Sequence, residues 1–462
     1  MHRLLCLMLV LCACDRSAAS DNRLVNGDFE NALQGWTKAW SRTQGVKAAR
    51  DEQVRHNGQA AVRIEHTNSQ DWSLAQEKRF DVKPGEIYEL SGWLRAQGEG
   101  EIMLSVTLYD AKKEALDWIY GGRDLRGASD WRLVQSRFVI PPDAAAILPR
   151  LTGHGSLTAW ADDLALRRVG QIDMSQAEKL PAAISKRNRA IEATFHPADG
   201  TISLRDLRCG AAWSQRPEKR CYVLNAKATD QGIVATLLEP ASVSEIAISL
   251  QLDGDKPELV VELSGQGPMS RLSYPHPVVS PAKSWLIMPV NEGIAYPVDD
   301  EALRPMRYHL YGGHGLCMAW YGVTDLNHGL MTLVETPDDA AVNVPRLDGR
   351  LHLAPEWEPQ RGEFGSVRRL RYVAFDQGGY VAMAKRHRAH AQAQGLLKTL
   401  AQKRAENPNV DLLVGAVNVW AFGVDGTKLC PEMQSLGIQR ILWSAGGKRS
   451  EERRVGKECR SR

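Results

Sequence analysis

The chain alternates apolar and polar side chains in short runs, and the runs are separated by Gly, Pro, Asn and Asp. Ala61–His66, Glu86–Ala96, Glu101–Tyr109 and Trp131–Ile140 all show a period of two. That period places successive side chains on opposite faces of a strand, so a chain written this way folds as sheets with one face turned to a core. Within Glu101–Tyr109, Ile102, Leu104, Val106 and Leu108 form the core face, while Met103, Ser105, Thr107 and Tyr109 point the other way. Residues 21–170 therefore read as one β-sandwich.

A polar connector, 171–185, follows, and then strand-like runs resume. They are Ala190–Phe195, Thr201–Leu204, Ile233–Leu238, Ser244–Leu252, Glu258–Leu263, Trp285–Pro289, Leu316–Tyr321, Leu330–Glu335, Leu351–Leu353 and Val367–Phe375. Helical patterns are absent throughout, so residues 186–377 form a second, larger β-rich domain. From 378 the character changes. Tyr380, Met383, Ala384 and His387 recur at helical spacing, with Gly395 as C-cap, and a second helix is predicted over Leu396–Glu406. Val410–Trp420 is a near-continuous apolar run of the kind a strand buried on both faces carries. A helix over Lys428–Gly437 and a strand over Ile438–Trp443 complete a strand–helix–strand unit. The fold class read from this pattern is thus multidomain and mainly β: a β-sandwich, a larger β-rich domain, then the first βαβ of an incomplete (β/α)8 barrel over 378–448; the resemblances given below imply that the first is a jelly roll and the second a β-supersandwich.

The last fourteen residues, 449–462, resemble a translated sequencing adapter and are set aside from fold reasoning. On that reading the native sequence is interrupted near Lys448, because a full barrel needs about 250 residues. The tail carries six basic and three acidic residues, which accounts for the whole formal charge of +3. A neutral chain gives no electrostatic case for nucleic acid.

The N-terminus, 1–20, has the layout of an export signal: basic Met1-His2-Arg3, apolar Leu4–Leu11, then Leu11-Cys12-Ala13-Cys14. The apolar run is too short to span a bilayer. Leu-x-Ala-Cys resembles a bacterial lipobox, which implies lipidation at Cys14 and anchoring to a membrane. Cleavage after Ala19 or Ser20, leaving a secreted or periplasmic protein, is the other reading. Outside the signal and the tail, the cysteines are Cys209, Cys221, Cys317 and Cys430. Cys209 and Cys221 flank a polar stretch, and both a disulfide and two free thiols are compatible with it. No cysteine or histidine spacing suggests zinc.

Leu24-Val-Asn-Gly-Asp-Phe-Glu30, Gly35-Trp36, Val82-Lys-Pro-Gly85, Tyr88–Arg95, Trp131, Phe138 and Trp160-Ala-Asp-Asp-Leu-Ala-Leu166 occur in order. Together they resemble the cenC-type carbohydrate-binding modules, families four and nine. The resemblance implies a jelly roll whose opening and closing strands pair, and a polysaccharide or glycan partner. It also implies a structural calcium near Asp28, Glu30, Asp162 and Asp163, for which turn-capping by the same acids is the alternative. Trp36 and Trp160 fall inside the structural motifs and are expected in the core.

Thirteen tryptophans against seven phenylalanines suit stacking on sugar rings. A sugar cleft needs aromatic platforms and planar hydrogen-bonding partners on the face away from the core. Trp93 and Arg95 share such a face, opposite Leu90 and Leu94. Trp72, Trp118, Tyr120, Gln135 and Arg137 are further candidates, with core or surface packing the competing role for each.

Ile191–Phe195, Gly200–Leu204, Arg205–Arg208, Trp213-Ser-Gln and Trp285–Ile294 resemble the supersandwich that precedes the barrel in several glycoside hydrolases. Residues 379–444 resemble the opening of the barrel in enzymes similar to endo-α-N-acetylgalactosaminidases. This implies hydrolysis of O-glycosyl bonds, on α-linked galactose-type or amino-sugar glycans, with no cofactor for catalysis. Asn418, Trp420 and Trp443 sit where barrel sites are built, at the C-terminal ends of strands. Glycosidases commonly use two carboxyl groups, and neither strand end offers one; the resemblance implies catalytic acids on later strands, so this chain alone is expected to be inactive. Gly312-Gly-His-Gly315 lacks the strand–loop–helix context of a phosphate loop and reads as a hairpin turn. Glu292, Asp299 and Asp300 read as surface loop acids, and His309, His314 and His328 are too scattered for a metal site. A non-catalytic glycan-capture surface lipoprotein is the alternative to the hydrolase.

Overall fold

The structure is a computed structural model. It describes residues 22–174, 179–217, 221–240, 243–267, 269, 271–291, 293–310, 315–420 and 426–444. Residues 1–21 with Cys14, the tail 449–462, Glu292 and residues 312–314 lie outside the described residues. No helix among the described residues is long and apolar enough to cross a membrane. The protein is mainly β, as its alternation predicts.

The first sandwich comprises β1 (Trp40–Ser41), β2 (Val46–Asp51), β3 (Ala61–His66), β4 (Asp71–Ala75), β5 (Phe80–Asp81), β6 (Glu86–Gly98), β7 (Glu101–Tyr109), β8 (Ala115–Arg126), β9 (Ser129–Val139), β10 (Ala146–His154) and β11 (Leu157–Gln171). One sheet runs β1-β4-β10-β7-β8, with β5 also on β10, and the other runs β2-β3-β11-β6-β9. All of these pairings are antiparallel.

The two inner faces meet in one core. Ile102, Leu104, Val106 and Leu108 from one sheet join Leu90, Leu94, Phe138 and Leu166 from the other. The opening segment pairs with the closing strand: Arg23 N–H donates to Leu166 O at 2.9 Å, and Leu164 N–H to Gly27 O at 2.8 Å. Trp36 joins this core as expected, but Trp160 does not: alternation with the core residues Ala159 and Ala161 turns it to the outer face of its sheet, where it is buried under Arg95 and its Nε1 donates to Asp51 at 2.9 Å.

In the second sandwich, Ile184–Arg187, Ile191–His196, Thr201–Asp206 and Ala212–Trp213 form a four-stranded sheet. A nine-stranded sheet runs through Tyr222–Ala228, Ile233–Glu239, Ser244–Leu252, Glu258–Gly265, Arg368–Phe375, Gly329–Val334, Trp320–Thr324, Trp285–Met288 and Ile294–Pro297. Apolar faces of both sheets, with Phe195, Leu237, Val261, Tyr321 and Leu370 among them, close a second core. The strand expected over Leu316–Tyr321 begins instead at Trp320.

Helix α1 (Gly379–Ala393) follows, then α2 (Leu400–Glu406). Helix α2 starts later than the expected Leu396, because Thr399 and Gln402 form a capping box that defines its first turn. The apolar run Val410–Trp420 is not one strand. Its first part belongs to a 3-10 helix, Pro408–Leu413, capped by Asn407, and only Val417–Trp420 is extended. Pro408 presets the first helical φ, and the Asn407 side chain accepts the Asn409 N–H at 3.0 Å, so local chemistry outweighs apolar content there. Val417–Trp420 then pairs in parallel with Ile441–Ser444, across α3 (Gly426–Ser435).

Close packing in the first sandwich is tightest at Gly153 on β10. A Cβ there would stand 1.9 Å from Glu101 O and 2.7 Å from Trp72 Cζ2. Gly153→Ala is therefore expected to destabilise the first sandwich by about 1–3 kcal/mol through overpacking. Calorimetry of the variant should show one lowered transition, and an unchanged melting temperature would contradict this packing.

Candidate functional site

The outer face of the sheet β1-β4-β10-β7-β8 is built by register. Trp40 lies opposite Ser73, Ser73 opposite Thr152, Thr152 opposite Met103, and Met103 opposite Asp124. One row along, Asp71, His154, Glu101 and Arg126 stand side by side, and on the other flank Arg150 faces Ser105. Cross-strand neighbours share a face, so these side chains form a single surface.

That surface is a cleft of about 510 Å³, lined by Trp40, Arg42, Asp71, Trp72, Ser73, Glu101, Met103, Trp118, Ile119, Arg150, Thr152, Gly153 and His154. Its size lies within the range of small-ligand sites, roughly 300–1,000 Å³. Trp40 is 54% exposed and Trp118 59%, although each is a large apolar ring.

The floor is polar and organised. Arg42 grips Asp71 in a two-pronged pair at 2.7 and 3.0 Å. The hydrogen bond from Arg42 holds the Asp71 carboxyl below the usual carboxylate range. Glu101 is buried and meets Arg126 at 2.8 Å and His154 at 3.7 Å. Arg150 donates from Nη2 to Trp118 O at 2.7 Å, and its guanidinium lies 5.4 Å from the Trp118 ring centroid.

The sequence-predicted residues divide between the two sheets. Trp118 stands on the rim of the cleft. Trp72 reaches it only from beneath, because it shares the core face with Leu74 and is 1% exposed. Tyr120, the other candidate on this strand, turns inward and donates to Val139 O at 2.5 Å. The reason is a register shift in β8: Asp117 and Tyr120 oppose Leu108 and Val106, so three steps on one strand match two on the other.

Trp93, Arg95, Gln135 and Arg137 lie on the outer face of the opposite sheet, away from the cleft. There the Trp93 ring is already stacked by His56 at 3.9 Å and 15°, and the Trp131 ring meets the same His56 edge-on at 5.7 Å. Arg95 lies over the Trp160 ring and 3.6 Å from Asp130, and Arg137 meets Glu89 at 2.9 Å. Their partners come from within the domain.

Trp40, Arg42, Asp71, Glu101, Arg150 and His154 were not among the sequence candidates. Extending the alternation of β7 to Ala146–His154 places Arg150, Thr152 and His154 outward. Trp40 sits in a two-residue strand that carries no period.

Three of the four acids considered for calcium are engaged with the loop before β3. Glu30 Oε1 accepts the Gln59 N–H at 2.6 Å. Asp162 Oδ2 accepts the His56 and Asn57 N–H groups at 2.9 and 3.1 Å. Asp163 bonds His56 Nδ1 at 2.9 Å, and Asp28 is exposed. Glu30, Asp162 and Asp163 thus hold the loop before β3. Among the described residues no group of three or more His, Cys, Asp or Glu is placed to hold a metal ion.

In the second sandwich, Cys209 and Cys221 are both free thiols. Burial pushes the Cys221 thiol up to about 12, and its Sγ lies 3.4 Å from His276 Nε2. Asp299 accepts the Lys283 N–H and Asp300 the Ala302 N–H, as loop acids do. His328 pairs with Asp325 at 3.0 Å, and His309 lies 3.5 Å from Glu358. In the parallel pair, Asn418 is opposite Leu442, Trp420 opposite Ser444, and Trp443 opposite Val419. Asn418 is exposed, and the three residues lie within the last three positions of their strands.

Residues 21–154 match the model of a carbohydrate binding domain family. The cleft lies wholly within that domain. No curated protein matches the chain. Among solved structures, the α-N-acetylgalactosaminidase NagBb from Bifidobacterium bifidum, in complex with GalNAc, is 16% identical with a TM-score of 0.48. That match covers 57% of this chain and 51% of NagBb, so the chain spans about half the length of that enzyme. TmCBM61 in complex with β-1,4-galactotriose is 20% identical over 32% of this chain and 100% of its own, with a TM-score of 0.26. The CBM22-1–GH10 modules of Clostridium thermocellum xylanase 10B, with xylohexaose, are 22% identical over 32% of this chain and 29% of theirs, at 0.28.

Proposed function

We propose that the carbohydrate binding domain holds a polysaccharide or glycan in the cleft flanked by Trp40 and Trp118. The observation that carries this reading is the pair of exposed indoles above a fixed polar floor. Large rings left half in water do nothing for folding, but they bury well against the apolar faces of pyranose rings. The Arg42–Asp71 pair, Glu101, Thr152 and His154 supply donors and acceptors that orient hydroxyl groups. The opposite sheet is a weaker candidate, because His56 already covers the face of Trp93.

For the parent protein we propose hydrolysis of O-glycosyl bonds on α-linked galactose-type or amino-sugar glycans, with this chain alone inactive. Supporting this is the parallel strand–helix–strand unit, whose two strands carry Asn418, Trp420 and Trp443 and no carboxylate among their described residues. A two-carboxylate mechanism then draws its acids from further strands. Export, with anchoring through lipidated Cys14, belongs to the same reading and rests on the N-terminal residue pattern.

Affinity electrophoresis of the full chain against a glycan panel is expected to show retardation. Trp118→Ala or Trp40→Ala should weaken it by about ten-fold or more each, from the roughly 1–3 kcal/mol that a stacked ring contributes in nucleic-acid sites. Trp93→Ala should change it little. Equal retardation of all three variants would remove the cleft as the site.

Extending the chain with its genomic downstream sequence is expected to give release of sugar from α-linked galactosaminides or galactosides. Release by the present chain alone would contradict the assignment of the acids to later strands. Cys14→Ser is expected to abolish incorporation of labelled palmitate in a bacterial host, and undiminished labelling would exclude Cys14 as the anchor.

A further inference from the structure

Arg150 differs from the other cations of the cleft. Arg42 is neutralised by Asp71 at 2.7 Å, and His154 lies 3.7 Å from Glu101, which Arg126 also meets. Among the described residues, Arg150 has no carboxylate within ion-pair distance and no acceptor for its Nε. Its one hydrogen bond goes to a neutral carbonyl, Trp118 O. It is also half-buried in the middle of β10, and that burial pushes its guanidinium below the usual arginine range. The Asp71 carboxylate acts on it only at a distance, being already paired with Arg42, so part of the burial cost stands, and an oxyanion brought into contact relieves it.

We propose, building on the carbohydrate reading of this cleft, that its ligand is an acidic glycan whose carboxylate or sulfate is received by Arg150 while a sugar ring packs on Trp118. The chemistry suits the residue. A planar guanidinium matches an oxyanion with directed, charge-assisted hydrogen bonds in a way that a lysine point charge does not. The position suits it too, because the same side chain touches the exposed indole and bonds its backbone. The acids of the cleft offer no repulsion of full strength, since Asp71 and Glu101 each have a cation in place.

The test is affinity electrophoresis of the full chain, with polygalacturonate for carboxylate, chondroitin sulfate for sulfate plus carboxylate, and carrageenan for sulfate alone. Neutral galactan and xylan complete the panel, run at about 20 and about 200 mM salt to vary screening. At least one acidic polymer is expected to bind about ten-fold more tightly than the neutral ones, with the preference shrinking in salt. Arg150→Gln should remove the preference while keeping the melting temperature, and Arg150→Lys should keep part of it. The carboxylate and sulfate arms then identify the group.

Equal or better binding of neutral polymers, unchanged by Arg150→Gln, overturns the acidic ligand and leaves the cleft standing. Acidic binding insensitive to both Trp118→Ala and Arg150→Gln is diffuse charge attraction, and it also overturns the proposal. Retention of no polymer removes the carbohydrate reading and this inference together.

Discussion

A strand in a two-sheet sandwich spends every second side chain on the core, so only the alternate residues are available to an outer surface. In the first domain this rule organises the rest of the structure. Ile102, Leu104 and Leu151 are committed inward. What remains on the same strands, Glu101, Met103, Arg150, Thr152 and His154, is then delivered to one face as a set. The antiparallel register decides which of these stand together, and it produces rows that mix acids, cations and hydroxyls from strands distant in sequence. The cleft is a by-product of the core, with no element of its own.

The two outer faces of this sandwich meet water differently. On the β2-β3-β11-β6-β9 side, polar and aromatic groups are partnered within the domain: His56 on Trp93, Arg137 on Glu89, Arg95 beside Trp160. On the other side the ion pairs are satisfied around the floor, while two indoles and one guanidinium are not covered in the same way. The contrast between a closed face and an open one with similar residue types is the physical basis for placing recognition on β1-β4-β10-β7-β8.

The second sandwich solves a different problem, that of holding nine strands in register. Arg371, on a central strand, reaches Glu258 at 2.8 Å on one neighbour and Glu335 at 2.9 Å just beyond the other, and it also meets Asp253. Arg371 and Glu258 are buried, where an unpaired charge would be strongly destabilising. Such a pairing is satisfied in one alignment of the three strands and broken by a slip of one residue.

Much of the architecture was legible because alternation is a local property. The β-rich halves, the core face of β7 and the strand–helix–strand after 378 can all be read from short stretches, whereas the pairing of the opening and closing segments came only with the family resemblance. Local chemistry also misled where two signals competed. Pro408 and Asn407 turned the start of an apolar run into a 3-10 helix, and a bulge between Trp118 and Tyr120 sent apparent partners to opposite sides. From its residues alone the chain determined that it would build sandwiches, and that some tryptophans would be spare. Which tryptophans were spare, and that Arg150 would stand beside one of them with its nearest acid already paired to Arg42, was decided only when register and bulges joined strands far apart in sequence. Those alignments depend on long-range pairing free energy that no single stretch contains.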